Sequence, residues 1–200
     1  MLPYQRAKIG VEHVLDIEKA FMLGEKKLDT TGTQGHPRRA TGGVLEFIEA
    51  GNSYVQNQGG PLTAPDMETF LREGFTYGDS TKILMCGGLV LSAINEIARG
   101  QLQTRMDQST YGVKISQWQT AFGNVNIVNN SEVLKGAYAG YAFLLDMNCF
   151  VYRYIPGRDT VLRTNVETPG QDGVVDEYLT ECGLQRMQAS RCALLKGITS

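Results

Sequence analysis

Thr81-Lys82-Ile83-Leu84-Met85-Cys86-Gly87-Gly88, running on into Leu89–Arg99, is the stretch on which the fold turns. Thr81–Cys86 is a short, largely apolar run bounded by turn residues, which reads as a buried strand. The glycine pair leads straight into a helix over Leu89–Arg99, with Leu89, Ile94 and Ile97 among its apolar positions and Gly100 as its stop. Upstream, Thr63-Ala64-Pro65-Asp66 is a helix start: Thr63 can cap, Pro65 suits the first turn, and Asp66 sits at the positive end of the dipole. Met67, Phe70, Leu71 and Phe75 supply its apolar face. The middle of the chain therefore reads helix, strand, helix.

Downstream the character changes. Tyr111–Gln119, Gly123–Val128, Tyr141–Asp146, Phe150–Tyr154 and Thr160–Asn165 are β-rich runs. Asp146-Met147-Asn148 and Pro156-Gly157-Arg158-Asp159 are turns between them. Val174–Met187 reads as one further long strand. Toward the N-terminus, Ala7, Val11, Val14, Ile17 and Phe21 recur at three- and four-residue steps, so Tyr4–Leu23 is a helix about 30 Å long with Gly24 as its C-cap. Such a rod needs a surface to lie on. Glu25–Gly43 has neither period and reads as an extended loop, locally basic through Lys26, Lys27, His36, Arg38 and Arg39. Loops of that length usually contact something. Val44–Ala50 is a short helix, and Gly59-Gly60-Pro61 a break. The class is α+β, helices early and a mostly antiparallel sheet later.

Composition narrows the function. The 200 residues carry 19 Lys+Arg against 21 Asp+Glu, a net charge of −2, with a pI of about 5.7. Proteins that bind nucleic acid over their whole surface are basic, with pI above ~9. Hydrophobic residues make up 42%, enough for a core without a metal or disulfide staple, and no run approaches ~18 apolar residues. Cys86, Cys149, Cys182 and Cys192 form no CxxC pair and lie near no pair of histidines, so neither zinc nor redox chemistry is indicated. Cys86 and Cys149 read as small buried hydrophobes.

Signatures of catalysis fail one at a time. His13 reads as a solvated helix residue, and His36 sits apart from it in the loop. Gly78-Asp79-Ser80-Thr81-Lys82 starts like a nucleophile elbow, but Lys82 replaces the second glycine and the run precedes its strand, so it reads as a turn. Gly32-Thr33-Gln34-Gly35 lacks the Walker lysine. Cys86-Gly87-Gly88 has the layout of an anion-binding turn, which tight packing explains equally well. Asp172, Asp176, Glu177 and Glu181 could hide an acid–base pair but read as a solvated acidic edge. No residue emerges as catalytic, cofactor-binding or metal-binding, and no cofactor is expected. A good core, a long rod, a long polar loop and no reactive cluster suit a building block.

The segments Tyr4-Gln5-Arg6-Ala7, Asp16–Phe21, Ala40–Ile48, Gly74-Phe75-Thr76-Tyr77-Gly78, Cys86-Gly87-Gly88, Leu91–Asn95, Tyr111-Gly112-Val113, Gly140–Met147, Tyr152-Arg153-Tyr154, Gly157–Thr160 and Asp176–Glu181, in this order, resemble the major head (capsid) proteins of tailed bacteriophages with the Hong Kong 97 fold. The resemblance implies a non-enzymatic shell subunit that self-associates into pentamers and hexamers of an icosahedral head. It implies a location in the virion, and in the host cytoplasm during assembly. The shell would enclose DNA without sequence-specific binding and without a membrane, and scaffolding, portal or decoration proteins are further implied partners. It also implies a spine helix at Tyr4–Leu23, a peripheral domain, and an axial domain with a central sheet. Residues 1–60 would hold the spine helix and loop of the peripheral domain, and 61–148 the axial domain. Residues 149–200 would hold return strands, mostly peripheral, so that the domains are discontinuous.

Because the chain opens almost at the spine helix, the N-terminal arm and extended hairpin of that fold are expected to be missing, and with them the lysine used for cross-linking in some members. The spine helix and the 25–43 loop are expected on contact surfaces between copies. The alternatives are a shell protein of a cellular nanocompartment or a captured prophage protein and, from another class, a hydrolase using the Cys86–Gly88 turn.

Overall fold

The computed structural model describes residues 2–31, 37–101, 105–110, 113–168, 170 and 173–199, with no account of the side chains at 98–116. His36, the run 32–35, Tyr111, Gly112 and Asp172 lie outside the described residues. In chain order the elements are α1 (Leu2–Leu23), β1 (Lys27–Asp29), β2 (Arg38–Ala40), α2 (Val44–Ala50), β3 (Tyr54–Gly60), α3 (Ala64–Gly74), β4 (Thr81–Cys86), α4 (Gly88–Gln101), β5 (Arg105–Thr110), β6 (Val113–Gln119), β7 (Asn124–Asn129), β8 (Ala142–Leu145), β9 (Phe150–Tyr154), β10 (Val161–Arg163), β11 (Glu177–Leu179), β12 (Cys182–Arg186) and β13 (Ala193–Ile198). The class is α+β.

The chain divides into two compact units. One is Met1–Val44 with Val151–Gln185, the other Leu45–Phe150 with Arg186–Ser200. Segment 45–60 therefore groups with the central strands, as does 186–200, whereas 151–185 groups with α1.

The second unit is built on a seven-stranded sheet in the order β3-β13-β8-β4-β7-β6-β5. It is mixed: β3–β13 and β4–β7 run parallel, and the other neighbours are antiparallel. Along β4 the side chains alternate, so Lys82, Leu84 and Cys86 are buried on one face. That face joins Met67, Phe70 and Leu71 of α3 and Val90 and Ile94 of α4 in one core with Val125, Ile127, Leu144 and Leu195. The α3 start behaves as its residues dictate. Thr63 Oγ1 accepts from Asp66 N–H at 3.4 Å, and Thr63 N–H donates back to the Asp66 carboxylate at 3.2 Å, a reciprocal capping box. Helix α4 runs to Gln101, so Gly100 does not stop it.

Five strands are invisible in the residue pattern, β1, β2, β3, β5 and β13. The case of β13 is the most instructive. Its alternation breaks at Gly197, which has φ of 75°, and the register with β3 shifts between Lys196 and Ile198. Lys196 Nζ turns aside to Glu49 at 2.6 Å. Yet Ala193, Leu194 and Leu195 are fully buried, one strand in from the sheet's edge. Two other expectations are corrected as well. The expected long strand 174–187 is two short ones, because β11 pairs with β10 and β12 with β9, and the chain crosses between ribbons at Thr180-Glu181. The expected loop 25–43 contains an antiparallel hairpin that pairs Lys27 with Ala40, Leu28 with Arg39 and Asp29 with Arg38.

Lys82 is the unusual member of the core. It is 1% exposed, and its Nζ donates to the carbonyls of Gly74 at 2.7 Å, Tyr77 at 2.7 Å and Arg191 at 2.6 Å. Three N–H donors meet three acceptors, which is what keeps a buried ammonium tolerable. Burial holds its pKa below the usual lysine value, with the Asp146 carboxylate acting in the opposite sense. Lys82→Met keeps the volume but leaves three carbonyls without a donor. It is expected to lower the unfolding free energy by on the order of 3 kcal/mol, as read from urea denaturation followed by the single tryptophan, Trp118. Thr63→Ala removes one partner of the capping box and is expected to cost about 1 kcal/mol in the same measurement.

Candidate interaction surfaces

The long helix and the three two-stranded ribbons make up the first unit. Helix α1 lies on the ribbons through residues at three- and four-residue steps, which is the helical period. Arg6 Nε donates to Asp176 Oδ2 at 2.8 Å, and the Tyr178 hydroxyl donates to the Arg6 carbonyl at 3.0 Å. His13 stacks on the Tyr178 ring, and its Nε2 is 2.7 Å from Thr180 Oγ1. Phe21 meets Tyr152 edge to face. His13 is therefore half-buried and partnered rather than solvated. At the helix end, Gly24 and Gly43 pass so closely that a Cβ on either would fall within 3 Å of backbone atoms, and Gly43 N–H donates to the Gly24 carbonyl at 2.6 Å.

This docking uses the 6-10-13-17-21 face, not the expected stripe. Ala7, Val11 and Val14 belong to a neighbouring face that points to solvent: Tyr4, Val11 and Val14 are 76%, 63% and 56% exposed. Of the anticipated stripe, only Ile17 and Phe21 turn inward. An apolar band three turns long on an outer helix face is unusual unless something covers it. The hairpin β1–β2 adds a second feature, with Lys27, Leu28, Arg38 and Arg39 all exposed on its two strands of three residues each.

The chemistry candidates dissolve into structural roles. Asp176 pairs with Arg6, Glu177 with Arg163 and Glu181 with Arg158, so the acidic edge is a set of ion pairs. At Cys86-Gly87-Gly88, Gly87 N–H donates to the Tyr141 carbonyl and Leu89 N–H to the Ala139 carbonyl. A Cβ on Gly87 would lie 2.4 Å from the latter oxygen, so these donors and this space serve packing, not an anion. Burial pushes the thiols of Cys86 and Cys192 up to about 12, which leaves them inert. Among the described residues no group of three or more His, Cys, Asp or Glu is placed to hold a metal. No described helix is long and apolar enough to cross a membrane. What the described residues offer is exposed apolar and basic surface.

The Arg6 guanidinium, with the Asn165 backbone N–H, holds the Asp176 carboxyl below its usual 3.8. A depressed carboxylate adds stability that is complete above the unfolded value and lost as pH falls through the folded one. Acidification below about pH 3.8 is accordingly expected to loosen α1 from β11, seen as faster amide exchange over residues 4–13. Asp176→Asn is expected to show that exchange already at neutral pH, and identical pH profiles for the two proteins would refute the assignment.

Comparison with known proteins adds the following. A family model described as SU10 major capsid protein matches residues 1–199. No curated protein matches the chain. Among solved structures, a chain of the virus-like particle from Pyrococcus furiosus is similar in backbone, with 12% identity and a TM-score of 0.42 over 76% of this chain and 59% of that one. The chain thus spans less than two thirds of that neighbour's length. The family match, by contrast, runs through both units, from α1 to β13, and the chain belongs to the SU10 major capsid protein family.

Proposed function

We propose that this chain is a structural subunit of a tailed-phage head, built on the Hong Kong 97 type of fold. The first unit takes the part of the peripheral domain, with α1 as its spine helix, and the second unit that of the axial domain. Membership of a major capsid family supports a place in the virion and a structural rather than enzymatic role. Assembly precedes that, in the host cytoplasm. The mechanism is repeated heterologous association, in which every copy uses the same patches and rings of five and six close. Such contacts bury on the order of 1,200–2,000 Å² each. The DNA is enclosed without being read, which suits a net charge of −2. Scaffolding, portal and decoration proteins are the further partners.

The observation that carries this reading is the division of the core. Among the described residues, only Met22 and Val44 of the first unit are buried apolar side chains; all the others belong to the second. Conversely, Tyr4, Ile9, Val11, Val14, Leu28, Tyr154, Ile155 and Val174 of the first unit are each more than half exposed. A segment of this size with so little of its own interior needs apolar surface from elsewhere.

Light scattering over a concentration range, with electron microscopy of the same sample, tests it. Rings or closed particles are expected, and a strict monomer at high concentration would refute the reading. Val11→Glu with Val14→Glu is expected to leave thermal unfolding within about 0.5 kcal/mol of the parent, because both sites are exposed. The same pair is expected to abolish association.

A further inference from the structure

The β10–β11 ribbon continues beyond its paired strands, since Val166 N–H donates to the Val175 carbonyl at 2.9 Å. Toward its tip Val166, Val174 and Val175 are 39%, 59% and 38% exposed, and among the described residues Glu167 accepts one hydrogen bond, from the backbone N–H of Val175. Three partly exposed valines gathered at this end of the ribbon form apolar surface that favours being covered. Within the same unit lies a groove of about 700 Å³, lined by Pro37 and Arg39 from the β2 side, by Arg153, Tyr154 and Ile155 at the end of β9, and by Thr180–Gly183. Its polarity is opposite to that of the tip. Arg39 forms no ion pair among the described residues, and Arg153 donates to the neutral Gln185 at 2.7 Å. The one carboxylate in the lining, Glu181, is already engaged by Arg158. Tyr154 and Ile155 give the groove an apolar wall, 53% and 52% exposed.

The two features cannot meet within one chain. The ribbon pairs Val161 with Leu179 at its base and Val166 with Val175 near its tip, so the tip stands roughly 16 Å beyond the base. The groove opens at Thr180, on the other side of that base.

We propose that the ribbon tip of one copy, Val166, Glu167, Val174 and Val175, seats in this groove of the next copy, with Glu167 set against Arg39 and Arg153. This rests on the shell reading above and names the contact through which it works. Donor and acceptor lie at opposite ends of one ribbon, so the contact is head-to-tail, the kind that propagates around a ring. Opposite charge fixes its register, and the valines against Tyr154 and Ile155 supply burial.

Charge exchange tests the pairing in the full-length chain. Arg39→Glu with Arg153→Glu is expected to raise the protein concentration needed for assembly at least about tenfold, and Glu167→Lys alone should do likewise. The triple variant, with the charges swapped across the contact, is expected to recover assembly. Thermal unfolding checks that each variant is folded. An assembly threshold unmoved by charge reversal overturns the contact while leaving the shell reading in place. So does a folded triple variant that fails to recover. A parent chain that never assembles removes both.

Discussion

One buried ammonium ties the second unit together. Lys82 lies in the central strand β4, and its three donors reach the last residue of α3, the turn at Tyr77 and the residue just before Cys192 and β13. The neighbouring carboxylate, Asp146, is 1% exposed; it accepts from the backbone N–H groups of Asp79 and Asn148 and faces Arg191. Removing any part leaves a charge or a carbonyl without compensation in a dry interior, so the set forms together or not at all. This requirement brings residues near 190 against a strand near 80. It thereby places β13 between β3 and β8, and the sheet cannot be completed without it.

The first unit has no counterpart to this network. Of its ion pairs, Arg163 with Glu177 and Arg158 with Glu181 sit at the surface, where such pairs contribute little, and the half-buried Arg6 with Asp176 fastens one helix to one ribbon rather than tying the unit together. Its strands form two-stranded ribbons, which are marginal by themselves. One unit is thus internally determined, and the other leaves much of its apolar surface exposed. That contrast suits the shell subunit proposed above, in which one part keeps its shape and the other gains burial from neighbours.

The elements legible from sequence are those where local chemistry and global structure agree. The box at Thr63 and Asp66, the short apolar run of β4 and the period of α1 each announce a helix or strand through residues close in sequence. What stayed hidden depends on distant partners. Strand β13 carries a lysine and a glycine that break its period, and it is a strand because β3 and β8 flank it. The hairpin β1–β2 is polar, so no period marks it. On α1 the length was readable but the buried face was not. Val11 and Val14 look like core by spacing, while Arg6, Gly10 and His13 turn inward because Asp176, Tyr178 and Thr180 offer specific partners. Lys82 carried no signal at all, since an isolated lysine in an apolar strand gives no hint of three carbonyls gathered from residues 74, 77 and 191.

The division between a rigid and a completed unit also bears on how one sequence could serve rings of different size. A ring of five and a ring of six require slightly different angles at the same contact. A close-packed core resists such change, because shifting its side chains forfeits contacts on every side. The sheet unit, fixed by Lys82 and the apolar faces of α3 and α4, is therefore the wrong place to absorb it. A two-stranded ribbon, docked on α1 through Asp176, Tyr178 and Thr180 and carrying half-exposed valines beyond its paired strands, changes its twist more readily than a wide packed sheet does. A charge pair at its end tolerates variation in angle better than interlocked side chains do. On the shell reading proposed above, compliance resides in the ribbons and shape in the sheet, and the poor core of the first unit serves closure rather than being a defect.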